Sequence, residues 1–143
     1  MKGDTAMKIK LTSVLVDDQE KALRFYTEVL GFVKKRDVPA GGARWLTVVS
    51  PEGPDDVELL LEPNSNPLVQ INGQPAAAAF QRALYEARIP YTLFYVEDLQ
   101  RECERLKECG VTFVAEPTRT DWGYQAMIDD TCGNLILLVQ EGE

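Results

Sequence analysis

The chain contains no histidine. That absence removes the side chain most used as a metal ligand and as a general base near neutral pH, and it excludes a cysteine–histidine nucleophile pair. Cysteine is scarce as well. Cys103, Cys109 and Cys132 are odd in number and lack the spacings of a zinc site or a disulfide framework, so they read as free thiols of a reducing cytoplasm. No apolar run reaches membrane-spanning length, and the opening MKGDTAMKIKL lacks an apolar core of signal-peptide size. The expected setting is therefore cytoplasmic, away from membranes. Positive charge is also short: 15 Lys and Arg stand against 23 Asp and Glu, a formal net charge of −8. No basic stretch is long enough to neutralise a row of phosphates, which argues against nucleic acid as a partner. The acidity reads first as a solubility device.

What is present is an ordinary hydrophobic content, 45% of 143 residues, which suits one domain or two half-domains sharing a core. The halves repeat one another. Ile9 to Val16 (IKLTSVLV) is a β-rich run, followed by Asp17-Asp18 as helix caps and an apolar stripe through Ala22, Leu23, Phe25, Tyr26, Val29 and Leu30 that stops at Gly31. Pro90 to Val96 (PYTLFYV) is followed in the same way by Glu97-Asp98, a helix through Leu99, Cys103, Leu106 and Cys109, and Gly110. Three strands come after each helix: Phe32 to Arg36, Arg44 to Ser50 and Val57 to Glu62 in the first half, and Val111 to Ala115, Tyr124 to Ile128 and Leu135 to Val139 in the second.

The division that results is a loose arm over residues 1–6, a first βαβββ module over 7–63, a linker with an alanine-rich helix over 64–89, and a second βαβββ module over 90–143. Such a module has one sheet face that needs covering. The fold class is α+β.

The cluster Ala22-Leu23-Arg24-Phe25-Tyr26 with Val29-Leu30-Gly31-Phe32 ("ALRFYTEVLGF"), preceded by Val16-Asp17-Asp18, and Asp129-Asp130 leading into Gly133-Asn134, resembles the vicinal oxygen chelate superfamily. That group includes glyoxalase I, extradiol dioxygenases, fosfomycin-resistance enzymes and bleomycin-resistance proteins. The resemblance runs from Met7 to Gln140. It implies two βαβββ modules forming a cupped mixed sheet around a pocket, commonly in a homodimer that shares its modules and completes the pocket.

The enzymes of that superfamily hold a divalent metal with His, Glu or Gln on the first and last strand of each module. Carried onto this chain, the resemblance places those positions at Leu11, Leu60, Tyr91 and Leu137. Leucine methyls offer a divalent ion no donor, so neither a metal nor another cofactor is expected. By period-two alternation, Leu11 and Ser13, then Tyr91, Leu93 and Tyr95, then Trp45 and Thr47 share the faces of those positions. Glu58 and Glu62 share the face of Leu60. Trp122 and Tyr124 are expected to form one wall.

Two functions from different classes follow. The first is a metal-independent, bleomycin-resistance-type protein that sequesters a small organic ligand, an aromatic or amphipathic natural product such as an antibiotic. The alternative is a glyoxalase- or dioxygenase-like lyase, isomerase or ring-cleaving enzyme with an unrecognised metal site, or with Glu58 or Glu62 as a base whose pKa is raised by burial. A third, that the fold serves only regulation or assembly, stays open. No catalytic residue is assigned.

Overall fold

The computed structural model describes residues 6–142. The arm expected over residues 1–6 therefore lies outside the described residues except for Ala6. In the first half, β1 (Leu11–Val16), α1 (Gln19–Arg24), β2 (Val33–Ala40), β3 (Ala43–Val49) and β4 (Glu58–Pro63) follow in order. A short ribbon, β5 (Gln70–Ile71) and β6 (Gln74–Pro75), leads into α2 (Ala76–Glu86). The second half repeats the first as β7 (Thr92–Val96), α3 (Leu99–Glu108), β8 (Phe113–Thr120), β9 (Gly123–Asp129) and β10 (Leu135–Gln140).

Each half builds a four-stranded mixed sheet of the same topology, β1-β4-β3-β2 and β7-β10-β9-β8. β1 runs parallel to β4 and β7 parallel to β10, and the remaining pairings are antiparallel. The class is α+β. The helices begin at the expected acids: Asp18 accepts from the Lys21 amide and Asp98 from the Arg101 amide, each at 3.1 Å, which satisfies an otherwise orphaned N–H. α1 passes into a π-helical turn over Phe25–Val29, and the chain leaves it through Gly31 at φ +90°. In the wider π turn the adjacent residues Phe25 and Tyr26 are both buried.

Several boundaries differ from the pattern. The first strand starts at Leu11 instead of Ile9, and Ile9 is exposed. β2 continues past Arg36 to Ala40, because Gly41-Gly42, with φ +56° and +86°, form the two-residue turn whose twist matches a hairpin. Asn72-Gly73 do the same between β5 and β6, with φ +53° and +80°. That ribbon sits in a segment whose polar and proline-rich composition reads only as a turn.

One core serves both sheets. Val14 and Val16, Leu46 and Val48, Leu59 and Leu61 from the first sheet join Ala126, Ile128, Ile136 and Leu138 from the second, with Tyr26 of the π turn and Leu99 and Leu106 of α3. The Tyr26 ring lies parallel to Phe32 at 6.4 Å between centroids and meets Phe94 edge-on at 6.5 Å, so the first helix is locked to a strand of the second half. A buried polar knot completes the junction. Tyr26 Oη donates to Asp130 Oδ2 at 2.6 Å, Asn134 Nδ2 donates to the Leu15 carbonyl at 2.7 Å, and Gln81 Nε2 of α2 donates to the same carbonyl at 2.9 Å.

Candidate functional site

The strand register fixes what each sheet presents on the side away from the core. In the second half Tyr95 pairs with Val139, Val139 with Gln125, and Gln125 with Thr118, so these four form one row across the sheet. The neighbouring row runs Leu93, Leu137, Met127, Ala115. Between the rows, under the hairpin that joins β8 to β9, lies a hollow of about 330 Å³ lined by Leu93, Tyr95, Trp122, Gln125, Leu137 and Val139. That volume falls at the lower end of small-molecule sites, roughly 300–1,000 Å³.

The hairpin sets the position of the Trp122 ring. Thr120 pairs with Gly123, which leaves Asp121-Trp122 as the turn, and the Trp122 amide donates to Thr120 Oγ1 at 3.0 Å. Gly123 takes φ +123°, a conformation that L side chains rarely adopt. A Cβ there would meet Val139 Cγ1 at 3.9 Å, an ordinary contact, so the backbone conformation and not the space calls for glycine. Trp122 is 86% exposed, the exposure of a wall facing solvent.

The sequence-derived residues divide into two groups. Leu93, Tyr95, Trp122 and Leu137 come together around the hollow. Tyr124 does not: it packs against the core on the helix side, its hydroxyl reaches Gln100 at 3.3 Å, and the Arg119 guanidinium lies over its ring. The residue after it faces the hollow instead. Tyr91 is also elsewhere, edge-on to Phe80 at 6.2 Å, and its phenol is pushed above the usual value by burial and by the negative charge of Glu62. Gln125 and Val139 line the hollow as well, and neither is among the residues singled out from the sequence. Val139 follows from Leu137 by alternation, and Gln125 occupies the place in the repeat that Trp45 occupies in the first half, two residues beyond the hairpin closure.

In the first half, the register puts Leu11 beside Glu58, Ser13 beside Leu60 and Leu60 beside Thr47. These residues surround no part of the 330 Å³ hollow. Thr47 and Leu60 are buried and Trp45 is 40% exposed. Glu58 accepts from Thr47 Oγ1 at 2.7 Å and from Arg36 Nε at 3.0 Å, with Lys35 Nζ at 3.8 Å. The Thr47 hydrogen bond, aided by the Arg36 and Lys35 charges, holds its carboxyl below the ordinary 4.5. A base tuned upward by burial is therefore not what Glu58 supplies. A further hollow of about 380 Å³ on the outside of α1, walled by Glu20, Leu23, Arg24, Thr27, Glu28 and Lys34, has the charged, ion-paired character of a hydrated surface.

The four positions where the resemblance expects metal ligands carry leucine and tyrosine side chains. Among the described residues no group of three or more His, Cys, Asp or Glu side chains is placed to hold a metal ion. The donor set present does not fit a divalent metal.

Comparison with known proteins agrees with the fold. The family model described as Glyoxalase/Bleomycin resistance protein/Dioxygenase superfamily matches residues 8–138. Uncharacterized protein YurT of Bacillus subtilis (strain 168) is 52% identical over 135 residues, which are 94% of this chain and 100% of that one. Among solved structures, UcmS2 superposes with a TM-score of 0.80 at 31% identity, covering 96% of this chain and 100% of that one. TnmS3, an antibiotic binding protein from Streptomyces sp. CB03234, superposes with a TM-score of 0.70 at 32% identity, covering 98% and 100%.

Proposed function

The chain belongs to the Glyoxalase/Bleomycin resistance protein/Dioxygenase superfamily, and we propose that within it the protein is a metal-independent binder that sequesters an aromatic or amphipathic natural product, such as an antibiotic. The observation that carries this reading is the hollow itself. Leu137, at a position where the enzymes of the superfamily hold a metal ligand, is part of an apolar and aromatic wall with Leu93, Tyr95, Trp122 and Val139. Such a wall buries ring faces, and no Asp, Glu or Cys side chain lines it to act as a general base or to hold a metal ion. The likeness to TnmS3, an antibiotic binding protein, supports the same reading. So does Glu58, whose lowered pKa suits a structural ion pair better than proton abstraction.

The protein acts as a cytoplasmic homodimer in this proposal. Leu11, Trp45, Leu93 and Trp122 are each at least 40% exposed, a good deal of apolar surface for a monomer to leave bare. A second copy closes the open side of the hollow.

The test is a titration of chelator-treated protein with manganese, iron(II), nickel and zinc by calorimetry, alongside tryptophan-fluorescence titration with a panel of aromatic natural products. The expected outcome is no stoichiometric metal binding and saturable quenching by at least one compound. Trp122→Ala should cost that compound about 2 kcal/mol of affinity, the loss of one aromatic anchor, with the fold retained because the ring is exposed. Tight binding of one metal ion per chain would overturn the proposal and direct the search to lyase or dioxygenase substrates.

A further inference from the structure

Gln125 differs from every other glutamine of the chain. Gln19, Gln70, Gln74, Gln81, Gln100 and Gln140 each have a side-chain amide group engaged in a hydrogen bond. The Gln125 amide, on the floor of the hollow, has no partner among the described residues. It alone of the lining carries an N–H donor and a C=O acceptor side by side: Tyr95 offers one hydroxyl, Trp122 one N–H donor, and Leu93, Leu137 and Val139 no polar side-chain group. Thr118, the next residue in the row, already donates its hydroxyl to the Glu116 carbonyl at 2.8 Å.

Resting on the binding reading above, we infer that Gln125 selects the ligand, and that it selects an uncharged, flat aromatic molecule with a hydroxyl next to a ring carbonyl at one edge. Three features of the hollow give that chemistry. No charged side chain lines it, so an ionised ligand body would lose its hydration without gaining a counter-charge. Trp122 and Tyr95 offer ring surfaces for a planar system. A primary amide presents an N–H donor beside a C=O acceptor, which complements a carbonyl beside a hydroxyl. The sheet sets the scale as well: Tyr95 and Gln125 lie two strands apart in one row, about 10 Å at the usual strand spacing, the reach of a small fused-ring system. The first half lacks this feature, because Trp45 holds the equivalent place.

The experiment measures three probes by fluorescence titration: flavone, which has the ring carbonyl alone; flavonol, which adds the neighbouring hydroxyl; and anilinonaphthalenesulfonate, an anion of similar size. Wild type should bind flavonol about tenfold more tightly than flavone, the worth of one good hydrogen bond, and should bind the anion most weakly. Gln125→Leu should bring the flavonol-to-flavone ratio close to one by weakening flavonol alone. Gln125→Glu, which keeps size and acceptor but loses the donor, should also lower the ratio, and circular dichroism melts verify that both variants fold. A ratio that survives both substitutions, or an anion bound as tightly as flavonol, would overturn the assignment of Gln125 while leaving the hollow as a binding site. Failure of wild type to bind any of the three, or any aromatic compound of the wider panel, would refute the binding reading and this inference with it.

Discussion

Two carboxylates show how environment alone separates residues of one chemistry. Glu58 is held below 4.5 chiefly by the Thr47 hydroxyl, while burial pushes Asp130 above 3.8 despite its hydrogen bonds. Their linkage to folding runs in opposite directions. Glu58 contributes stability that is present above about 4.5 and lost as pH falls through its lowered folded value. Asp130 is least costly below 3.8, and its contribution declines as pH rises through its raised folded value. Carboxyl-carbon NMR titration should find the Asp130 midpoint above 3.8 and that of Glu58 below 4.5, and Thr47→Val should move Glu58 back toward 4.5. Removing the Asp130 charge gives no relief. Its two oxygens face donors from Tyr26 Oη, Asn134 Nδ2 and the amides of Cys132 and Asn134, so Asp130→Asn turns an N–H toward other donors. Urea denaturation should show a loss of about 2 kcal/mol, the cost of a broken buried hydrogen bond.

At the scale of elements, the linker helix α2 is part of the fold through one side chain. Gln81 is 4% exposed, accepts from Asn64 Nδ2 at 2.7 Å and reaches across to Asn134 Oδ1 at 2.9 Å. Gly133, at φ +102°, leaves it the space: a Cβ there would stand 2.8 Å from Gln81 Nε2. Gly133→Ala should therefore destabilise by about 2–4 kcal/mol, combining a strained backbone with displaced buried hydrogen bonds, with near-native far-ultraviolet circular dichroism below the transition. The sequence pattern showed the helix, since Gln74 to Ala87 is rich in good helix formers. That its glutamine ties three segments together was not legible, because Leu15, Asn64 and Asn134 are 66, 17 and 53 residues away. A similar limit explains Tyr124. Alternation identified β9, but which parity faces the hollow depends on how the hairpin closes at Thr120 and Gly123, and a shift of one residue exchanges the faces.

The whole molecule leaves its thiols unequal. Cys103 and Cys132 are buried, with thiols pushed up to about 11 and about 12 by desolvation, whereas Cys109 is exposed. A disulfide-exchange reagent should modify one thiol per chain rapidly in native protein and three in denaturant, since only an accessible thiolate reacts. The open faces of the two sheets bear on assembly: light scattering should give twice the 16.0 kDa of a single chain if a second copy covers them. A monomer at low protein concentration that still shows saturable quenching by ligand would assign the complete hollow to one chain.

Some of this protein was determined by its sequence alone. The two-fold repeat, an acidic cap ahead of each module's helix, and the apolar stripe through Phe25 and Tyr26 are local facts. Periodicity, capping chemistry and residue type act within a few residues and can be read along the chain. The tertiary structure decided the rest. Only pairing between distant strands could put Gln125 in the hollow and Tyr124 behind it, give Glu58 to Arg36 and Thr47, and open the second sheet while Thr47 and Leu60 of the first are buried. Register and burial are set by contacts across many tens of residues, and those contacts have no signature in the neighbouring sequence.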